Sequence, residues 1–151
     1  MMSDSYWRYV EPVWDSINIY EGADIFLKDF TIASEKQKVL FASHWAQSEI
    51  MNGGLGQFFL NSTGVLAPEA VEGFNSIGMK NCASTLQEAM KFFGDKYPRD
   101  RSLREDVFED FYEKHGEDAI PIEELEDKMA TELEDECGGY EEAANEYANK
   151  S

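Results

Sequence analysis

Apolar residues recur at helical spacing along almost the whole chain, and no run of β-branched residues alternates strictly with polar ones. That combination leaves an all-α fold as the architecture this chain can build. The helix stops agree, because glycine, which tolerates the left-handed backbone of a helix exit, ends one stretch after another. The spacing predicts a helix opened by Pro12 and carrying Val13, Trp14 and Ile17, a second over Asp24 to Phe30, and a third over 35–51 that stops at Asn52-Gly53-Gly54. A short helix from Leu55 to Asn61 follows, with a break at Gly64. Another then runs from Pro68 to Ile77, and one from Lys80 or Asn81 runs to Phe93; Gly78 and Gly94 close these two.

The segment DKYPRDRS interrupts helix at Pro98 and gathers Lys96, Arg99, Arg101 and Arg104 into the one locally basic spot, which reads as a salt-bridged connection. Beyond it, Leu103, Val107, Phe108, Phe111 and Tyr112 form a stripe that packs an amphipathic helix of about 102–114 on the rest. Ile122, Leu125, Met129 and Leu133 do the same for a helix after Pro121. Gly138-Gly139 separates that helix from a last segment bearing Tyr140 and Tyr147. The expected organisation is a single compact multi-helix domain over 1–151, with residues 1–100 as its core and 101–151 as strongly acidic helices packed on it.

Charge is the second constraint. Of 31 acidic residues, 18 lie in 101–151 against five Lys or Arg, so this third of the chain carries −13 of the net −18. Such a surface repels nucleic acid and anionic membrane and attracts basic protein surfaces. With 42% hydrophobic and 13% aromatic residues, the chain still has the apolar material for an ordered core. The opening MMSDSYWRYV lacks a basic leader followed by an apolar run, and no stretch approaches the length of a membrane span, so the protein reads as cytoplasmic.

On the 102–114 helix, Glu105, Glu109 and Glu113 stack at i, i+4, as do Asp106 and Asp110, each like-charge pair costing about 0.2–0.5 kcal/mol. Glu123 with Asp127 and Glu132 with Glu136 repeat the pattern, and Glu134, Asp135 and Glu136 crowd a helix C-terminus where the dipole disfavours anions. These choices oppose stability, which suggests a use. From Pro121 to Glu146 the net charge is −10 over 26 residues. Laid on a helix, that is one charge per ~4 Å, against one phosphate per ~3.4 Å of a DNA strand. The candidate partner-binding carboxylates are Glu105, Asp106, Glu109, Asp110, Glu123, Glu124, Asp127, Glu134, Asp135 and Glu136. The competing reading of the same acids is a solvated face that keeps the protein soluble.

The segment HWAQSEIMNGGLGQFFLNSTGVLAPEA, His44 to Ala70, followed by FNSIGM and YPRDR, resembles a bacterial family of small acidic proteins formerly of unknown function, over about residues 6–104. Its NGG-x-x-QFF-x-N-S-x-G core is the specific part. The described member of that family is a DNA mimic, so the resemblance implies an all-helical protein that occupies the DNA-binding surface of a transcriptional regulator or another nucleic-acid-binding protein. The shared motif and the densest charge nonetheless occupy different residues, and fold transfers between relatives more safely than function.

Within the motif, Trp45, Glu49, Asn52, Gly53, Gly54, Gln57, Phe58 and Asn61 admit two readings. They line a small-molecule pocket, or the glycines permit a sharp turn while the polar side chains satisfy backbone groups at broken helix ends. His44 and His115 lack ExxH or HExxH neighbours, and no P-loop, GxGxxG or GxSxG occurs, so no catalytic residue, metal site or cofactor is expected. Cys82 and Cys137, far apart and outside any CxxC, read as reduced thiols. The sequence therefore points to an acidic module for a basic, DNA-binding protein that contacts neither nucleic acid nor membrane directly. An inhibitor of a basic nuclease and a small-molecule enzyme or sensor using Glu49 to Asn61 are the alternatives.

Overall fold

Helix α3, Glu35–Leu60, is the axis on which the molecule is built. It starts on a reciprocal capping box, in which the Ser34 hydroxyl accepts from the Gln37 N–H while the Gln37 side chain accepts from the Ser34 N–H. Halfway along, Gly54 at φ 89° and ψ 175° breaks the helix, so the expected stop at the double glycine and the short helix after it are both present as two arms of one element. The remaining helices are α1 (Trp7–Val10), α2 (Ala23–Phe30), α4 (Ala67–Ser76), α5 (Lys80–Met90), α6 (Arg101–His115), α7 (Glu123–Asp135) and α8 (Tyr140–Ala148), joined in places by short 3₁₀ turns. This computed structural model describes residues 5–150, among which no strand occurs. The opening MMSD, read above for a leader, lies outside the described residues.

The core runs from Val10 and Phe26 through Phe41, Phe58, Phe59, Phe74 and Leu86 to Phe108, Met129 and Tyr140, so the acidic helices contribute to the same buried cluster as the motif. Helix α4 packs on both α3 and α5, α6 lies on α3, and α7 lies across α3 and α5. Phe93 joins the two regions, with ring centroids 5.0 Å from Phe59, 5.4 Å from Tyr97 and 5.8 Å from Phe108. At the far end α8 closes over α3, where the Ser43 and Tyr140 hydroxyls are 2.8 Å apart in the core. No helix among the described residues is long and apolar enough to cross a membrane.

Three local expectations change. Pro12 sits inside a three-residue 3₁₀ turn, Glu11–Val13, that continues α1, and opens no helix of its own; its ring needs only the fixed φ and the missing N–H that such a turn accommodates. Gly64 does not break the chain but lies buried inside the 3₁₀ segment Ser62–Leu66. Leu103 is 53% exposed, and the inner position one turn before Phe108 belongs instead to Arg104, which is fully buried.

Arg104 is the clearest departure from the expected salt-bridged connection. Among the described residues its guanidinium takes no carboxylate and donates instead to four main-chain carbonyls, those of Phe59 (2.7 Å), Asn61 (3.0 Å), Pro98 (3.2 Å) and Arg99 (2.5 Å). A fork of five fixed N–H donors can satisfy several carbonyls at once where a lysine cannot. The absence of a side chain at Gly64 makes room, since a Cβ there would stand 2.8 Å from Arg104 Nε. Arg99 does form the expected ion pair, a two-pronged one with Glu69 at 2.8 Å on each arm.

Candidate functional site

The carboxylates of the C-terminal helices divide into two sets by helical phase. On α7, Met129 and Leu133 are buried, and Glu126 and Glu132 flank them on the inner half. Glu126 accepts the N–H groups of Leu55 and Gly56, each at 2.9 Å. Those donors belong to the first turn of the second arm of α3 and have no helical partner once Gly54 has turned the backbone away. A Cβ at Gly54 would come within 2.3 Å of Glu126 Oε2, so the glycine of the motif leaves space for the carboxylate that caps the break. Glu132 accepts from the Thr85 hydroxyl at 2.5 Å.

Glu136 caps the start of α5 by accepting the N–H groups of Asn81 (2.8 Å) and Cys82 (2.9 Å). Both of its oxygens are used inside the protein, so its place among the partner-binding acids is corrected to that of a helix cap. Its tight turn passes through Cys137 at φ 57°, whose thiol is free and exposed, while Cys82 is free and buried, its thiol pushed well above the ordinary thiol range by desolvation and by its hydrogen bond with Glu136.

The outward set is different. Glu123, Glu124, Asp127, Glu134 and Asp135 are all exposed, and at 3.6 residues per turn they fall within an arc of about 120° opposite Met129. On α6, Glu105, Asp106, Glu109 and Asp110 are likewise exposed and, with Glu113, fill an arc of about 140° away from Phe108. Among the described residues, Asp110 alone of these nine nominated carboxylates has a cation within 4 Å, the exposed Lys114 at 3.0 Å. The two helices meet the same point of α3, because a Cβ on Gly56 would lie 3.7 Å from Glu126 Oε1 and 3.9 Å from Phe108 Cε1. The two helices thus turn apolar and capping residues toward α3 and carboxylates outward, all but Asp110 without an ion-pair partner among the described residues.

The motif side chains satisfy one another and not, as the structural reading had it, the backbone at the break. Glu49 Oε2 accepts from Gln57 Nε2 at 2.9 Å and from Asn61 Nδ2 at 3.1 Å. Phe58 is fully buried and is no pocket wall, whereas Trp45 is half-buried and stacks on Trp14 at 4.7 Å with 11° between the rings. Glu49, Gln57, Asn52 and Asn61 border a wide open depression, and Trp45, Glu49 and Asn61 also line a smaller cavity.

His44 lies among Tyr6, Trp7 and Trp14, with Nδ1 2.7 Å from the Tyr6 hydroxyl. Burial without a countercharge lowers its pKa from 6.5 to about 4, which makes it a neutral packing residue. His115 ends α6 beside Gly116, where a cation suits the helix dipole.

The description DMP19-like protein matches residues 33–151, more than three-quarters of the chain. This chain belongs to the DMP19-like protein family. The matched region corrects the extent of the resemblance, read above as residues 6–104. It starts at the turn before α3 and continues through α6, α7 and α8 to the end. The motif and the acidic helices therefore fall inside one family region, and the hydrogen bonds of Leu55 and Gly56 to Glu126 join them in the fold. No curated protein and no solved structure matches the DMP19-like chain.

The inward acids were legible in one respect: helical phase alone puts Glu126 on the Met129 side of α7. Their acceptors were not, since nothing local ties Glu126 to a backbone break 70 residues earlier or Glu136 to the start of α5.

Proposed function

We propose that this DMP19-like protein is a DNA mimic: the outward carboxylates of α6 and α7 occupy the basic, DNA-binding surface of a transcriptional regulator or other nucleic-acid-binding protein. The observation that carries this reading is the sorting of the acids. Glu126, Glu132 and Glu136 are consumed as internal acceptors, whereas Glu105, Asp106, Glu109, Glu123, Glu124, Asp127, Glu134 and Asp135 stand exposed and without cationic partners among the described residues. A solubilising surface needs no such one-sided arrangement; mixed charges of both signs serve that end with less self-repulsion. Anions carried on helices also need no backbone ordering when they meet arginine or lysine, so less of the electrostatic gain is lost to entropy than on a flexible segment.

On this reading the protein acts by occupying a surface and not by catalysis. It needs no cofactor, and its own charge keeps nucleic acid and anionic membrane away. The complex should be sensitive to salt, because exposed charges are screened within ~8 Å at physiological ionic strength. The test is capture of partners on the immobilised protein at low salt, followed by elution with duplex DNA. Recovery of a basic DNA-binding protein that duplex DNA displaces supports the reading. A partner that stays bound in excess DNA, or capture of no basic protein, counts against it.

A further inference from the structure

A cavity of about 230 Å³ opens between the first arm of α3, the Ile19–Tyr20 loop, the Asn61–Thr63 turn and the start of α6, and two opposite charges line it without pairing with each other. The carboxylate is Glu49. Its Oε2 is held by Gln57 and Asn61, while Oε1 takes no hydrogen bond from any described residue. The guanidinium is Arg101. Its Nε donates to the Leu60 carbonyl at 2.7 Å and its Nη1 to the Ser62 hydroxyl at 3.3 Å, which leaves Nη2 without a protein acceptor among the described residues. Each charged group is thus anchored through one part and open through another, within the same small space.

The apolar side of the cavity comes from Trp45 and Tyr20. Stacking on Trp14 fixes the plane of the Trp45 indole, and Tyr20, 71% exposed, forms the rim. An aromatic wall beside a few convergent polar groups is the composition of a small-molecule site, and this volume falls below the ~300–1,000 Å³ of drug-sized ligands.

We infer that the cavity binds a free α-amino acid with a large apolar or aromatic side chain, its ammonium on Glu49 and its carboxylate on Arg101. The charge of the protein narrows the ligand. A net −18 opposes anions, the open guanidinium opposes simple cations, and a zwitterion avoids both costs while satisfying both unpaired groups. This inference uses none of the outward acids of α6 and α7, so it stands or falls separately from DNA mimicry.

The experiment is isothermal titration of the full chain with L-tryptophan, L-phenylalanine and L-leucine, and with the N-acetyl and carboxamide derivatives of each. At least one free amino acid should bind, and removal of either of its charges should weaken it about tenfold or more, the loss of one charge-assisted contact. Arg101→Gln, at an exposed side chain, should abolish the preference for the free acid over the carboxamide while leaving the circular dichroism spectrum unchanged. Glu49→Gln should do the same for the free amine over the N-acetyl form. Binding of none of the three up to about 10 mM, or equal binding of free and blocked forms, overturns the inference.

Discussion

Replacing Glu126 by alanine strips the acceptor from two backbone N–H groups at the break in α3. Leu55 is fully buried and Gly56 half-buried, so water cannot restore both bonds. Hydrogen bonds to a charged acceptor contribute about 1.5–3 kcal/mol each, and with solvent reaching the Gly56 side the expected loss is about 2–4 kcal/mol. For a chain of this size that corresponds to a fall of roughly 5–15 °C in melting temperature. Urea unfolding followed by far-ultraviolet circular dichroism measures the free energy, and Asp127→Asn, the next residue on the outward face, supplies the control. That neighbour should change stability by no more than about 0.5 kcal/mol and in the stabilising direction, because it relieves the i, i+4 repulsion with Glu123. Gly54→Ala should cost at least as much, partly from backbone strain at φ 89° and partly because its Cβ would displace the carboxylate. Gly54→Ala and Glu126→Ala together should lose less than the sum of the two by the cap energy they share, while the strain at Gly54 adds in full. If Glu126→Ala matches Asp127→Asn within error, the division into capping and outward acids is wrong.

Two further outcomes follow from buried groups. Arg104→Lys, which cannot fork to four carbonyls, should destabilise by at least about 3 kcal/mol in the same urea assay, far more than Arg101→Lys at the exposed position three residues earlier. His44 is held neutral when folded, with its pKa lowered from 6.5 to about 4, so below pH 6.5 the unfolded chain takes up a proton that the folded protein refuses. Stability should fall as pH drops from 6.5 to 4, by about 3 kcal/mol from this residue, with no contribution above pH 6.5. Unfolding measured across that range should show a shallower acid loss in His44→Gln than in the parent; superimposable profiles would refute the assignment.

Most helices were legible because each signal was local. Gly54, Gly78, Gly94, Gly116, Gly138 and Gly139 all hold positive φ at or beside helix ends, and the Phe108 and Met129 stripes carry their own period. What escaped the sequence depends on partners distant along the chain. Arg104 looked like one of four linker cations, yet its neighbour in space is the Phe59 to Gly64 segment, and Gly64, which looked like a helix break, is the space that admits it. Glu136 looked like one more anion at an unfavourable helix end, whereas the start of α5 across the interface makes that position favourable. Positive φ at Ile122 and Cys137, residues that disfavour it, gave no local signal at all.

DNA mimicry by this protein rests on the outward carboxylates of α6 and α7 alone. Asp110, Asp127 and Asp135 are changed together to asparagine, and affinity for the DNA-displaceable partner is measured beside the parent at equal helicity. If these carboxylates meet the partner, the affinity falls about tenfold or more, with a weaker dependence on salt and no loss of folding stability. Unchanged affinity in a folded triple variant would contradict it.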